Sequence, residues 1–409
     1  MSLKFCVDRH VLGTSLHLVH DDGVIAWTND LPSDAWILSS GFRQERCLLT
    51  LLRLNGHEIN VEVPEKYVTS MKAVMKNEFS YDRVPWQKIL PSQVFKTFLT
   101  GLVQNILKAT SSVDTSYYTE TFSSVTPLFS MLENAAINVP KLNSYLDDSN
   151  VVNPQTLRTF KPVAGSFARK IEYNRHGTRT GRLVHAAGPD ILTLKRSYRD
   201  VITTCFPGGV IRYVDFSSLE ARVLLAVSGH ENLPRDIYTD ICKKLLPVKS
   251  RNVMKLIVLA TLFGSGQAGL QRLSGLSEKK MSDIQEKIRE MFCVEELQKR
   301  LHDEFKKNGN TIKNAFGRFV LVHDERTLIN SFVQSTGVDV ALLGFHFIVT
   351  KMRDMSLKSR PIFILHDAMI IDTHPSEVSV IDEIIENGIN INKMSTPFYL
   401  SSSDLYTNS

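Results

Sequence analysis

Two aspartates stand in apolar stretches of the chain, where an unpaired carboxylate would be costly. Asp215 lies in YVDFSSLEARVL (residues 213–224) and Asp367 in ILHDAMII (residues 364–371). Acidic residues are rarely buried unless they are paired or bind a cation, because removing water from an ion costs several kcal/mol or more. Both stretches predict an apolar strand that ends near its Asp. Two carboxylates at strand tips suggest a Mg²⁺ site, since Mg²⁺ prefers a few hard oxygen ligands together with substrate phosphates.

The residues that follow Asp215 predict the start of a helix. SSLE (residues 217–220) has the S-x-x-E form of a capping box, in which Ser217 would be the N-cap and Glu220 its partner. In that interpretation Glu220 serves only the helix. Asp215 lies outside the box, so capping does not explain it.

A third stretch, RNVMKLIVLATLFG (residues 251–264), predicts a helix with an unusual stripe. Four positions spaced by four fall within an arc of about 120° on one face, namely Arg251, Lys255, Leu259 and Phe263. The usual interpretation is an amphipathic helix with solvated cations. The opposite face is also apolar, so the stripe is not simply the solvent-exposed face of an amphipathic helix. Two cations followed by apolar side chains would suit a triphosphate followed by a sugar and a base.

The elements that must position these residues belong to a globular chain of two or three cores. The 409 residues are 43% hydrophobic and 22% charged. No run approaches the roughly 18 to 20 apolar residues of a membrane span, and the start lacks a signal peptide, so we expect a cytoplasmic protein without a membrane partner. Five scattered cysteines without CxxC spacing argue against disulfides and zinc. A net charge of +5 is compatible with a polyanionic partner.

Local patterns divide the chain into regions of different character. Asp22-Gly23 and Asn55-Gly56 each predict a β-hairpin in the N-terminal region. Residues 91–146 show helical periodicity. The basic, glycine-containing NRHGTRTGRL (residues 174–183) predicts an exposed functional loop.

Taken together, the motifs resemble those of the family A DNA polymerases, the group of bacterial polymerase I and many phage replicases. DFSSLEARVL, RNVMKLIVLATLFG and LHDAMII are similar to motifs A, B and C of the family, in the same order and spacing. NRHGTRTGRL is similar to its T-x-T-G-R-L loop and AFGRFV (residues 315–320) to its F-G-R segment. LINSFVQSTGVDV (residues 328–340) resembles the stretch that follows the primer–template minor groove. The resemblance covers about residues 165–375.

The resemblance implies an α+β fold shaped like a right hand. A palm with an antiparallel sheet would carry the acids, between helical fingers and a helical thumb. The implied regions are the thumb at 91–165, the palm at 166–230 and 316–409, and the fingers at 231–315. Residues 1–90 lie outside the resemblance, and their local patterns predict a strand-bearing N-terminal region.

The resemblance also implies a role for each matching residue. Asp215, Asp367 and the backbone carbonyl of Phe216 would hold two Mg²⁺ ions, with Lys255 as the third catalytic residue. The implied nucleotide-binding residues are Arg251, Lys255, Leu259, Phe263, Glu220 and Tyr238. The implied DNA-binding residues are Arg182, Thr180, Asn330, Gln334 and His366. Within the nucleotide site, Glu220 would block a 2′-hydroxyl.

Four positions depart from the family pattern. Ala368 stands where a carboxylate usually follows the motif C aspartate, so two strand-borne acids would have to hold the metal. Leu259 replaces an aromatic residue near the sugar, Phe263 replaces a tyrosine, and Tyr238 replaces a histidine that commonly helps to bind phosphate.

The sequence therefore predicts a template-directed DNA polymerase that extends a primer with dNTPs. No D-x-E proofreading pair is recognisable, so we expect no 3′→5′ exonuclease activity. A separately encoded exonuclease or processivity factor is then a candidate partner. The many phage members of the family make an infected bacterium one candidate location. One alternative is a single-subunit RNA polymerase, which Glu220 disfavours because such enzymes leave room for the 2′-hydroxyl. The other is a catalytically idle nucleic-acid-binding relative, which Ala368 favours.

Overall fold

The computed structural model describes residues 3–39, 46–59, 63–175, 177–245, 248, 250–263, 270, 272 and 274–406. These residues form two compact units, Met1–Ser123 and Ser124–Ser409. Each unit combines helices with a mainly antiparallel sheet, which confirms the α+β class. The predicted closing residue of the stripe helix, Gly264, lies outside the described residues.

The first unit contains a four-stranded sheet followed by helices. Its strands are β1 (Phe5–Val7), β2 (His17–Asp21), β3 (Val24–Thr28) and β4 (Trp36–Leu38), in the order β3-β2-β1-β4 with only the β1–β4 pair parallel. Its helices are α1 (Arg9–Leu12), α2 (Leu48–Leu54), α3 (Glu65–Met75), α4 (Trp86–Ile89) and α5 (Ser92–Thr110), with short 3₁₀ helices at Lys76–Glu78 and Tyr81–Arg83 and a π-helix at Tyr118–Phe122.

The two hairpins predicted in this unit had different outcomes. Asp22 and Gly23 join β2 to β3 with φ angles of 45° and 88°, both in the left-handed region that a type I′ turn needs, so this hairpin is confirmed. The hairpin at Asn55-Gly56 is wrong, because CLLTLLRL forms helix α2. Gly56 (φ 75°) follows the helix end, and the N–H of His57 donates to the carbonyl of Leu52. A glycine with positive φ suits a helix C-terminus as well as a hairpin.

The second unit carries the predicted motifs. Its helices are α6 (Thr126–Met131), α7 (Val139–Asp147), α8 (Pro154–Arg158), α9 (Leu219–Val227), α10 (Ile237–Lys244), α11 (Arg251–Phe263), α12 (Glu278–Met291), α13 (Val294–Lys307), α14 (Leu328–Asp354) and α15 (Val378–Glu386), with 3₁₀ helices at Arg196–Val201, Glu325–Thr327 and Pro375–Glu377. Its strands are β5 (Ala136–Ile137), β6 (Pro162–Ala164), β7 (Phe167–Ala168), β8 (Glu172–Asn174), β9 (Val184–Ala187), β10 (Ile202–Thr203), β11 (Val210–Phe216), β12 (Thr311–Lys313), β13 (Phe319–Leu321), β14 (Arg360–Leu365), β15 (Ala368–Thr373) and β16 (Leu400–Asp404).

The central sheet of this unit is antiparallel, in the order β14-β15-β11-β16, as predicted for the palm. Successive side chains of a strand point to opposite faces. Val214 and Phe216 are buried, and the Phe216 ring packs on Phe345 of α14 with centroids 5.4 Å apart. The alternation leaves Tyr213 and Asp215 on the other face. The sheet thus has a helix-covered face and a face that presents the acid.

Two further features bear on the expectations. The division of the chain at Ser123 splits the predicted thumb (91–165) between the units, and the other region boundaries stay predictions. Among the described residues one helical stretch, Glu325–Asp354, is long and apolar enough to cross a membrane. Because 72% of its most apolar window is buried inside the protein, it has the character of a core helix.

Candidate active site

The ends of β11 and of the β14–β15 hairpin bring the two predicted acids together. Asp215 is the last residue but one of β11, and Asp367 is the second residue of the two-residue turn between β14 and β15. Asp215 pairs in register with Ala368, and the N–H of Phe216 donates to the carbonyl oxygen of Asp367 at 3.3 Å. The two acids therefore meet at one end of the sheet, as the sequence predicts.

The surroundings of Asp215 oppose its negative charge. Its Oδ1 is buried and has no hydrogen-bond partner among the described residues. Burial, then the negative charge of Asp367, raises the pKa of Asp215 to about 7, and Glu220 adds to the increase while Lys255 opposes it. A bound cation would remove this electrostatic cost.

The donor set fits Mg²⁺. The two carboxylates are the predicted protein ligands, and in the described part of the chain no group of three or more His, Cys, Asp or Glu side chains could hold a metal. Mg²⁺ is commonly bound through one or two carboxylates, waters and substrate phosphates. The unpartnered Oδ1 of Asp215 gives such an ion a ligand with no competing hydrogen bond. The role of the Phe216 carbonyl stays a prediction.

A cleft beside these acids gathers residues that the sequence assigns to four different motifs. Its polar lining consists of Arg182, Glu220, Gln334, His366 and Asp367. Its apolar lining consists of Leu183, Leu219, Val333, Val338, Ala341 and Leu342, with Gly337. All five polar residues are predicted site residues, and they come from four separate parts of the second unit. The apolar walls lower hydration around the charged groups, which strengthens their interactions.

The capping box predicted after Asp215 is wrong. The N-cap of α9 is Ser218, in the left-handed region with φ 57°, and its side chain makes no capping bond. The N–H of Ser217 instead donates to the carbonyl of Tyr399 at 2.8 Å. Glu220 is therefore the second residue of the helix, and its side chain lines the cleft.

Helix α11 exposes the two cations of the predicted stripe to solvent. Arg251 and Lys255 are exposed and Leu259 and Phe263 are partly buried, while the packed face of the helix consists of Met254, Ile257, Val258, Thr261 and Leu262. Lys255 is near enough to Asp215 to lower its pKa. The two cations of the stripe are thus solvated, and Lys255 also acts electrostatically on Asp215.

Arg251 already has partners on the neighbouring helix. Its Nε donates to Oδ2 of Asp236 at 2.7 Å, and its guanidinium lies over the ring of Tyr238 at 5.6 Å. Tyr238 is buried and its hydroxyl has no hydrogen-bond partner among the described residues. Burial, then the charge of Glu220, raises the pKa of Tyr238 well above its usual range. Arg251, Tyr238 and Glu220 therefore belong to one electrostatic neighbourhood.

The predicted DNA-binding residues are only partly brought together. Arg182, Gln334 and His366 line the cleft, and Gln334 Nε2 donates to Asn330 Oδ1 at 2.9 Å one helical turn away. Thr180 lies in the loop before Arg182, outside the cleft lining. His366 has φ 58°, a conformation uncommon for a residue with a side chain and often found at functional sites. Loss of hydration, then the charge of Arg182, lowers the pKa of His366.

Two residues of the site were missed by the sequence reasoning. Tyr213 lies two positions before Asp215 on the same face of β11, and the guanidinium of Arg199 lies over its ring at 6.0 Å. Burial, then the charges of Asp215 and Asp367, raises the pKa of Tyr213 to about 12. The strand period of two could have identified Tyr213, but Arg199 lies in a segment without a recognisable motif.

The comparisons with known proteins agree on one family. The model of the family described as DNA polymerase family A matches residues 157–403. The chain is 25% identical over 269 residues to DNA polymerase I of Chloroflexus aurantiacus, covering 58% of this chain and 27% of that protein. It is 30% identical over 163 residues to the DNA polymerase of Mycobacterium phage L5, covering 36% and 27%. The chain covers between 27% and 30% of the length of the curated relatives it matches.

A solved structure is also similar. It is the POL domain of Pol1 from M. smegmatis in complex with DNA primer-template and dNTP, with a TM-score of 0.45 and 15% identity. The similarity covers 88% of this chain and 63% of that chain.

Proposed function

The chain belongs to DNA polymerase family A, and we propose that it is a template-directed DNA polymerase. It would extend the 3′ end of a primer with dNTPs by nucleotidyl transfer at the Asp215–Asp367 pair, inside the cell. The observation that carries this proposal is the position of the acid pair. The pair lies beside a cleft whose polar lining is Arg182, Glu220, Gln334, His366 and Asp367. The resemblance assigns these residues to the nucleotide sugar, the DNA or the metal.

The acid pair and helix α11 provide the groups that this reaction needs. When bound, two Mg²⁺ ions would stabilise the charge on the reacting phosphate and favour the nucleophilic form of the primer 3′-hydroxyl. Asp215 and Asp367 would hold them. Lys255, which acts on Asp215 from the exposed face of α11, would bind the triphosphate and offset its charge. Arg251 would exchange its contact with Asp236 for a phosphate oxygen.

The position of Glu220 supports deoxynucleotides as the substrate. Its side chain lines the cleft next to Leu219 and Asp367 and takes no part in capping α9. A side chain that fills the space beyond the 2′ carbon rejects a hydroxyl through a clash and an unsatisfied polar contact. A single-subunit RNA polymerase would need that space open.

The second candidate function, a catalytically idle DNA-binding relative, rests on Ala368. This residue is fully buried and pairs in register with Asp215, so its side chain shares a face with the acid and supplies no ligand. The open Oδ1 of Asp215 favours the active enzyme, because an idle protein has no need of a buried and unpartnered carboxylate oxygen.

A primer-extension assay separates these functions. The purified chain is incubated with a labelled primer–template, Mg²⁺ and either dNTPs or rNTPs, with EDTA and no-template controls. We expect extension with dNTPs that depends on Mg²⁺ and on the template. Extension with rNTPs of equal efficiency would favour the RNA polymerase. Binding of the duplex without extension in any mixture would favour the idle relative.

A further inference from the structure

A buried polar cluster lies outside the lining of the cleft, and none of the reaction steps above uses it. Arg318, Asp339 and Asn314 have exposed fractions of 5%, 3% and 4%. Arg318 Nη1 lies 3.8 Å from Asp339 Oδ1, and Asn314 Nδ2 donates to Asp339 Oδ2 at 2.6 Å. Because burying two charges carries a desolvation cost of several kcal/mol per ion, such a pair is weak evidence for stability alone.

The loop that carries Arg182 rests directly on this cluster. Gly181 has φ +83°, and a Cβ at this position would lie 1.9 Å from Nη1 of Arg318 and 2.3 Å from its Cζ. Only a glycine lets the backbone approach the guanidinium so closely. The loop is closed by a bond from Gly181 N to Thr178 O at 3.3 Å and by a bond from Thr178 Oγ1 to the carbonyl of Arg182 at 3.0 Å. The planar guanidinium of Arg318 therefore packs directly against the backbone of the loop at Gly181.

The guanidinium is itself anchored to α14. The turn that carries Arg318 is fixed by Asn314 Oδ1, which accepts from the N–H groups of Phe316 at 3.0 Å and Arg318 at 2.9 Å. Asp339 lies on α14, the helix that also presents Gln334 to the cleft. The loop and the helix thus share one rigid support.

We propose that Arg318 and Asp339 are positioning residues that set the register of Arg182 against Gln334 in the cleft. Arg182 and Gln334 approach the cleft from different elements, and contacts to the minor-groove edge of a base pair require both at defined positions. The planar guanidinium of an arginine is pre-organised, so a carboxylate that holds it fixes the surface against which the loop packs. The proposal rests on the proposed function, since it assumes that Arg182 contacts the primer–template.

The first test is a pair of glycine variants that differ only in what the new methyl group meets. Gly181→Ala forces the loop off the Arg318 guanidinium. Gly165→Ala has the same left-handed strain, with φ +56°, but nothing lies within 4 Å of its Cβ. Binding of a labelled primer–template is measured by fluorescence anisotropy, with melting temperatures for both variants. We expect Gly181→Ala to weaken binding about tenfold and Gly165→Ala less than twofold. Equal binding by the two variants would overturn the proposal.

The second test asks whether the cluster acts through Arg182. Asp339→Asn removes the charge opposite Arg318 and keeps an oxygen for Asn314. We expect it to weaken binding about tenfold in the wild-type background and less than twofold in the Arg182→Ala background, since only coupled residues are non-additive. Equal losses in both backgrounds would show a merely structural role. If Asp339→Asn does not fold, Gly181→Ala is used in the same cycle.

Both tests measure binding of the primer–template without nucleotide incorporation, so their result is independent of the result of the primer-extension assay. A wild-type chain that binds the duplex but fails to extend it contradicts the proposed polymerase activity. The glycine variants still decide the positioning role in that case.

Discussion

At the scale of single residues, the main electrostatic cost of the site falls on Asp215. Its Oδ1 is buried without a hydrogen-bond partner among the described residues, and Asp367 and Glu220 add negative charge nearby. This arrangement destabilises the metal-free folded protein, and a bound cation would remove that destabilisation. Such a cost is typical of functional sites.

The first prediction concerns the acid pair. Asp215→Ala or Asp367→Ala should lower primer extension by on the order of 10³-fold or more, because each removes a ligand for a cation that offsets developing charge. Because Asp215 Oδ1 is buried without a hydrogen-bond partner among the described residues, Asp215→Ala should leave the melting temperature in EDTA no lower than that of the wild type. Asp303→Ala, an exposed acid on α13, is the control. Near-wild-type extension by either site variant would refute the two-metal assignment.

The second prediction links metal binding to protons. In the folded protein the pKa of Asp215 is raised from 3.8 to about 7, so between about pH 4 and 7 the metal-free folded state holds a proton that the unfolded chain has lost. Stability without metal should therefore fall as pH rises through this window. Because Mg²⁺ needs the carboxylate, its affinity should rise up to about pH 7 and then level off.

Calorimetry of Mg²⁺ binding at pH 6 in two buffers of different ionisation enthalpy would count the protons released. We expect a release that disappears in Asp215→Asn. Binding with no proton release at pH 6 would contradict the raised pKa.

The third prediction concerns sugar selection by Glu220. Since Glu220 does not cap α9, Glu220→Ala should change stability by no more than about 0.5 kcal/mol. It should raise rNTP use relative to dNTP use by about two orders of magnitude, because about 1.4 kcal/mol corresponds to a factor of ten and a clash with a lost polar contact can exceed that. Single-nucleotide incorporation kinetics with matched rNTP and dNTP pairs measure the ratio. If both efficiencies shift together, Glu220 is not the gate.

At the scale of elements, the segments that carry motifs could be predicted well, whereas isolated turn signals gave mixed results, since the hairpin at Asp22-Gly23 is confirmed and the one at Asn55-Gly56 is wrong. Strand β11, helix α11 and the β14–β15 hairpin combine periodicity with several chemical residues, so independent signals agree. The Asn55-Gly56 hairpin failed because a glycine with positive φ ends a helix equally well. The capping box failed because a tertiary bond from Ser217 to Tyr399 moved the start of α9 by one residue.

The fourth prediction tests the stripe of helix α11. Lys255→Ala should lower kcat/KM for dNTPs about 10²-fold, because it removes the cation that we propose binds the triphosphate and that acts electrostatically on Asp215. Lys243→Ala on the neighbouring α10, an exposed lysine, should change kcat/KM less than twofold. Steady-state kinetics with a fixed primer–template compare the two. Equal effects would mean that Lys255 acts only through the overall charge of the region.

At the scale of the whole molecule, the predicted chemistry belongs to one of the two compact units. The predicted site residues and the family match at residues 157–403 all lie within Ser124–Ser409. The first unit has its own sheet, with Asp8 directly after strand β1. The first unit carries none of the predicted site residues.

The fifth prediction is that this chain does not trim a mismatched primer. A proofreading site of the expected kind has a D-x-E carboxylate pair on a strand. Asp8 follows strand β1, but the residue two positions after it is His10 and not a glutamate. Asp8 is already used in the fold, since its Oδ1 accepts from the N–H of His10 at 2.8 Å and lies 4.0 Å from His17 Nδ1. A lone acid that already caps a helix provides no second carboxylate with which to build a two-metal hydrolytic site. A 3′-mismatched, end-labelled primer with Mg²⁺ and no dNTPs should stay full length, and trimming that survives Asp215→Ala but is lost in Asp8→Ala would contradict this.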